Sequence, residues 1–121
     1  FVDFMPREKV FEYYKSADLF CLQTRGDAWG LVINEAMANG LPVISTDKCV
    51  AALELVKPEK NGYVVNPEDI KGLCNAMKKV LFDNETICKM GKKSIQTIQE
   101  YTFEKMAEAH LKILKKEAYG E

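Results

Sequence analysis

The stretch Gly30-Leu31-Val32-Ile33-Asn34-Glu35-Ala36-Met37-Ala38-Asn39-Gly40-Leu41-Pro42-Val43-Ile44-Ser45 decides the fold. Its first half is an apolar helical run opened by one glycine and stopped by another, because Gly40 accepts the left-handed conformation that ends a helix. Its second half is a short apolar run in which Pro42 stands at the strand's start, where a missing backbone N–H is tolerated. A strand without polar alternation, reached directly from a helix, is buried on both faces and belongs to a parallel sheet.

The same unit recurs on either side. Pro6 stands near a helix start, and Val10, Phe11, Tyr14 and Ala17 share one helical face before the short strand Asp18-Leu19-Phe20-Cys21-Leu22. Downstream, Ala51–Val56 reads as a short helix, and Asn61-Gly62 marks a turn into the strand Tyr63-Val64-Val65. Asn66 is expected to cap the next helix, with Pro67 at its first position and Glu68 and Asp69 in its first turn. Its core stripe is expected to be Ile70, Leu73, Cys74, Met77, Val80 and Leu81. A helix over 85–98 follows. A last one, opened by Thr102, carries Phe103, Met106, Ala107, His110, Leu111 and Leu114 on one face. Alternating strands and helices predict an α/β fold, a Rossmann-like doubly wound parallel sheet with a C-terminal helical tail, and right-handed crossovers. No repeat or linker interrupts residues 1–121, which read as one domain.

Bulk properties narrow the function classes. With 121 residues the chain can bury roughly two thirds of its unfolded surface. Lys plus Arg number 17 against 18 Asp plus Glu, so nothing basic points to nucleic acid or an anionic membrane. Cys21, Cys49, Cys74 and Cys88 form no C-x-x-C pair, and the single histidine leaves zinc without a ligand set. Cys74 and Cys88 fall on apolar stripes, as buried cysteines do. A reduced, cytoplasmic setting fits this usage, with two disulfides as the alternative. No signal peptide is recognisable, and no apolar run approaches the ~20 residues of a membrane span. Phe1-Val2-Asp3-Phe4 already alternates like a strand, so the chain reads as entering in the middle of a fold, with essential parts upstream.

In doubly wound sheets, ligands bind beyond the carboxyl ends of the strands. The loops at that edge are 23–30, 46–50 and the one at Asn66. Gly30 and the amides of Leu31 and Val32 form a helix opening suited to phosphate, since a helix N-terminus offers unpaired N–H groups and a positive end. The plainer reading is that Gly30 starts a tight loop. Glu35 lies one and a half turns into an otherwise apolar helix, where its carboxylate can accept two hydrogen bonds from a ribose diol, or serve as a partly exposed helical glutamate. Asp27 stands eight positions before Glu35 and is either a sugar contact or a turn residue. Trp29 is either a stacking ring or packing. Thr46 and Asp47, after the Val43–Ser45 strand, either touch a ligand or cap the short helix. Glu54 and His110 read as structural. No Walker lysine motif, G-x-G-x-x-G, G-x-S-x-G or H-E-x-x-H occurs. These residues can hold a donor molecule, and no nucleophile or base accompanies them.

Three segments resemble the C-terminal half of the group-one (family four) retaining glycosyltransferases, nucleotide-sugar enzymes of GT-B fold. They are Asp18–Thr24, the block Gly30–Ile44, and Glu54-Leu55-Val56 with Asn61-Gly62-Tyr63-Val64-Val65. The resemblance implies that Glu35 binds the ribose and that Asp27 touches the transferred sugar and stabilises charge at its anomeric centre. The family more often has Glu at the position of Asp27. The amides around Gly30, Leu31 and Val32 match the diphosphate contacts. No metal cofactor is implied, because the helix end partly neutralises the leaving diphosphate.

The resemblance further implies a partner domain that binds the acceptor, and an upstream part of the donor domain with a basic pair on the diphosphate. The isolated chain is then expected to be inactive. The implied function is transfer of a hexose from an NDP-sugar to a glycan or lipid-linked acceptor with retention, in surface polysaccharide synthesis. The setting is cytoplasmic, at the inner face of the membrane, with peripheral membrane contact through the other half. The alternative is a non-catalytic nucleotide-sugar binding or partner-docking subunit of a split glycosyltransferase. A flavodoxin-like receiver would need an acidic pair at the end of its first strand, which Phe1-Val2-Asp3-Phe4-Met5 does not supply.

Overall fold

A computed structural model of the chain describes residues 3–26, 30–101 and 103–119. Among these residues nine elements follow in order: α1 (Arg7–Ser16), β1 (Phe20–Leu22), α2 (Leu31–Ala38), β2 (Val43–Thr46), α3 (Val50–Leu55), β3 (Gly62–Val65), α4 (Ile70–Val80), α5 (Asn84–Gln99) and α6 (Phe103–Tyr119). The three strands make a parallel sheet in the order β1-β2-β3, with Phe20 beside Val43 and Val43 beside Gly62. This is the α/β, Rossmann-like sheet that the apolar runs require, with a helix at its C-terminal end.

Both faces of the sheet are covered, because successive strand residues point to opposite sides. Val43 packs with Ile33, Met37, Ala51, Ala52 and Leu55, which places α2 and α3 on one face. Its neighbour Ile44 packs with Ala76, Val80 and Met90, which places α4 and α5 on the other. Every residue of β2 is buried. Gly40 takes φ +76, and the amides of Gly40 and Leu41 return to the carbonyls of Met37 and Ala36 at 3.0 and 3.1 Å. That is the Schellman arrangement, and it turns the chain from α2 straight into β2.

Four details differ from the sequence expectation. Helix α4 starts at Ile70 with Asp69 as its cap, its carboxylate accepting the Gly72 amide at 2.8 Å. Asn66 instead closes a local turn by accepting the Glu68 amide at 3.1 Å, so the two acceptors compete for the helix start and the later one wins. The α4 core face is Leu73, Ala76, Met77 and Val80, whereas Ile70, Cys74 and Leu81 are exposed. Ala76 and Val80 pack with Ile44 of the sheet, and Ile70 and Leu81, at the two ends of the helix, fall outside that cluster, as does Cys74. Cys88 is exposed as well, and Cys49 is the buried cysteine. Finally, Asp3 and Phe4 are not in a strand and Phe4 is fully exposed, while Phe1 and Val2 lie outside the described residues.

Candidate functional site

Helix α2 opens at the carboxyl edge of the sheet, in the connection that leaves β1. Its cap, Gly30, is buried and takes φ +85, a left-handed conformation that glycine adopts without strain. A methyl group added there would also stand 2.7 Å from the Cys49 sulfur. The Gly30 carbonyl receives the first helical bond from the Ile33 amide at 2.9 Å. The amides of Leu31 and Val32 precede that bond and belong to the unpaired set at any helix start. Both of these residues are exposed.

Glu35 follows Leu31 by four residues and therefore lies on the same helical face, one turn further in. Leu31 and Glu35 together line an open cleft of about 680 Å³, completed by Arg7 and Phe11 of α1, by Ile98 and Tyr101 near the end of α5, and by Glu104 of α6. The Glu35 side chain keeps 30% of its surface open to solvent. Its Oε2 accepts a hydrogen bond from the Tyr14 hydroxyl at 3.1 Å, and its Oε1 faces the Arg7 guanidinium at 3.6 Å. Arg7 is itself 73% exposed and lies over the Phe11 ring, 5.1 Å from its centroid. The Tyr14 phenol is pushed up to about 12 by burial, by its bond to Glu35 and by the adjacent negative charge. It stays protonated, and a donor, at any physiological pH.

Of the residues singled out in the sequence, the cleft brings together Leu31 and Glu35. Gly30 is buried behind the opening turn, and Val32 stands outside the cleft wall. Thr46 is fully buried at the end of β2, where its hydroxyl donates to the Thr24 carbonyl at 2.6 Å and accepts the Lys48 amide at 3.3 Å. With Ser45, which donates to the Leu22 carbonyl at 2.8 Å, it braces the loop that leads to α2. An ion pair between Arg25 and Glu68 at 3.1 Å links the loops after β1 and β3. Asp27 and Trp29 lie outside the described residues.

Sequence reasoning missed two groups at this site. Tyr14 was legible only as one apolar position of the α1 face, and nothing in the spacing shows that its hydroxyl reaches Glu35, which lies 21 residues later. Arg7 carried no signal, because a charged residue in a first turn is ordinary surface. Among the described residues, no three His, Cys, Asp or Glu side chains gather into a set able to hold a metal ion, and no helix is long and apolar enough to cross a membrane.

The family model described as "Glycosyl transferases group 1" matches residues 1–97. A Haemophilus influenzae protein named as an uncharacterized glycosyltransferase is 30% identical over 108 residues, covering 88% of this chain and 31% of that one. The sulfoquinovosyl transferase of Arabidopsis thaliana is 28% identical over 105 residues, covering 84% of this chain and 20% of its own length. Among solved structures, sucrose-phosphate synthase from Thermosynechococcus elongatus superposes with a TM-score of 0.80 at 27% identity, over 100% of this chain and 30% of that protein. The chain thus spans less than a third of the length of each of these relatives.

Proposed function

The chain belongs to the group 1 glycosyl transferases, and from that premise we propose that it is the donor-binding portion of a retaining hexosyltransferase. It takes a hexose from a nucleoside diphosphate and delivers it to a glycan or lipid-linked acceptor in surface polysaccharide synthesis. The observation that carries this reading is the cleft shared by the opening turn of α2 and the Glu35 carboxylate. A diphosphate at the Leu31 and Val32 amides would gain about 1–2 kcal/mol from the helix end. A ribose one helical turn further in would meet Glu35, whose carboxylate forms charge-assisted hydrogen bonds with a diol.

In the transfer step the bond from the anomeric carbon to the diphosphate oxygen breaks, a bond to the acceptor oxygen forms, and the proton of the acceptor hydroxyl passes to the leaving diphosphate. Negative charge then grows on the diphosphate, next to the amides, which is where preorganised donors lower a barrier. Asp27 is assigned to the sugar side of the same site, opposing the positive charge that develops at the anomeric carbon. This arrangement needs no metal. The acceptor site and a second domain are assigned to protein outside this chain, and the work to the cytoplasmic side of a membrane.

Titration of the chain with uridine and guanosine diphosphates tests the site and identifies the base together. Binding of one of them, unchanged by a chelator, is expected, whereas indifference to both overturns the reading. In the complete enzyme, Glu35→Gln should weaken donor affinity about tenfold by removing charge from two hydrogen bonds. Asp27→Asn should mainly slow turnover. Wild-type affinity in the first and wild-type turnover in the second would refute these roles.

A further inference from the structure

The two oxygens of Glu35 are not equivalent. Oε2 is held by the Tyr14 hydroxyl at 3.1 Å, while among the described residues Oε1 faces the exposed Arg7 guanidinium at 3.6 Å, beyond hydrogen-bond range. Tyr14 is 7% exposed and its ring lies between Phe11 and Phe20, with centroids 6.2 and 5.9 Å away. The ring is therefore fixed by packing on α1 and β1, and its hydroxyl is the one polar atom that this aromatic group sends to α2. A phenylalanine would pack the same space, so the hydroxyl has a use that packing does not explain.

We propose that Tyr14 is a positioning residue for nucleotide recognition: it anchors Oε2 of Glu35 so that Oε1 is presented to the ribose diol of the donor. This rests on the donor-site reading above. A glutamate on a helix surface samples many rotamers, and an acceptor that must be ordered on binding loses affinity by that ordering. The Tyr14 bond removes this loss in advance. Arg7 occupies the other oxygen loosely, from solvent, and gives way to the diol.

The test uses the 121-residue chain and two ligands: the nucleoside diphosphate, uridine or guanosine, that binds in the titration above, and its 2′,3′-dideoxy counterpart. Wild-type protein should prefer the ribose form. Tyr14→Phe should weaken binding of the ribose form about 5-fold to 10-fold and leave the dideoxy form unchanged. In a Glu35→Gln background, Tyr14→Phe should add no further loss, because the two residues act as one unit. Equal weakening of both ligands by Tyr14→Phe would show a merely structural hydroxyl and overturn the proposal. An unchanged ribose preference in Tyr14→Phe, with the preference lost in Glu35→Gln, would overturn Tyr14 alone and leave the donor site standing. A wild-type protein that binds both ligands equally would remove Glu35 from the ribose, and the proposal with it.

Discussion

Gly30 has two physical reasons to be glycine that operate without any ligand. Its φ of +85 is costly for a side chain, and a methyl group would meet the Cys49 sulfur at 2.7 Å. Gly30→Ala should therefore destabilise the fold by about 1–3 kcal/mol. Adding Cys49→Ala should recover the part due to the clash and not the part due to the dihedral. Denaturant unfolding of the single and double variants separates the two, and an unaltered midpoint in Gly30→Ala would contradict the account. The plain reading of this glycine, a tight turn, is thus physically sufficient for the fold. The phosphate reading concerns the amides that the turn exposes. Glu35 shows the opposite situation. Nothing about the fold asks for a carboxylate among Leu31, Asn34 and Ala38, and its partners are a phenol and a surface guanidinium.

At the scale of elements, side-chain oxygens and amides from outside the strands hold the layers in register. Asn61 is fully buried: it accepts the Lys57 amide at 2.7 Å and donates to the Leu55 carbonyl at 3.0 Å and the Thr97 hydroxyl at 3.4 Å. One side chain thus ties the end of α3, the turn into β3 and the C-terminal half of α5. Ser94 adds a second tie from α5, donating to the Leu41 carbonyl at 2.7 Å. Asn61→Ala should cost about 2–4 kcal/mol, because it leaves the buried Leu55 carbonyl and the part-buried Lys57 amide without their side-chain partner. Asn61→Asp should fare little better, since a carboxylate cannot donate to Leu55. A chemical-denaturation midpoint within error of wild type in both variants would show that water replaces these bonds. In the sequence Asn61-Gly62 read only as a turn. Turn residues are recognised by local geometry, while the partners at Leu55 and Thr97 come from the packing of distant segments.

For the whole molecule, stability should fall off outward from β2. That strand is hydrogen-bonded on both sides, every residue in it is buried, and it separates the two apolar clusters. In α6, by contrast, Leu111, Ile113 and Leu114 are more than half exposed. Native-state amide exchange should accordingly find the slowest amides in Ile44 and Ser45. Those of the second half of α6 should exchange orders of magnitude faster, because local opening there exposes little buried surface. Comparable protection of α6 would mean that it is held by contacts beyond those seen. The candidate site also belongs to this scale: its walls come from α1, α2, the region of Ile98 and Tyr101, and Glu104 in the first turn of α6, which meet only when the sheet has brought them together.

What the sequence determined by itself was the order of layers. Apolar runs too short for helices, glycines at helix ends and the continuous block Gly30–Ser45 leave a parallel sheet as the one way to bury such strands. The same block, through its resemblance to a family of sugar-transferring enzymes, also marked Glu35 as a candidate for the ribose contact before any geometry was known. Only the tertiary structure decided which oxygen of Glu35 is held, that Tyr14 holds it, that Thr46 spends its hydroxyl on the Thr24 carbonyl, and which side of α4 is buried. The reason is one of range. Periodicity and capping are written between residues a few positions apart, whereas a phenol meeting a carboxylate 21 residues later depends on how two helices seat on a sheet.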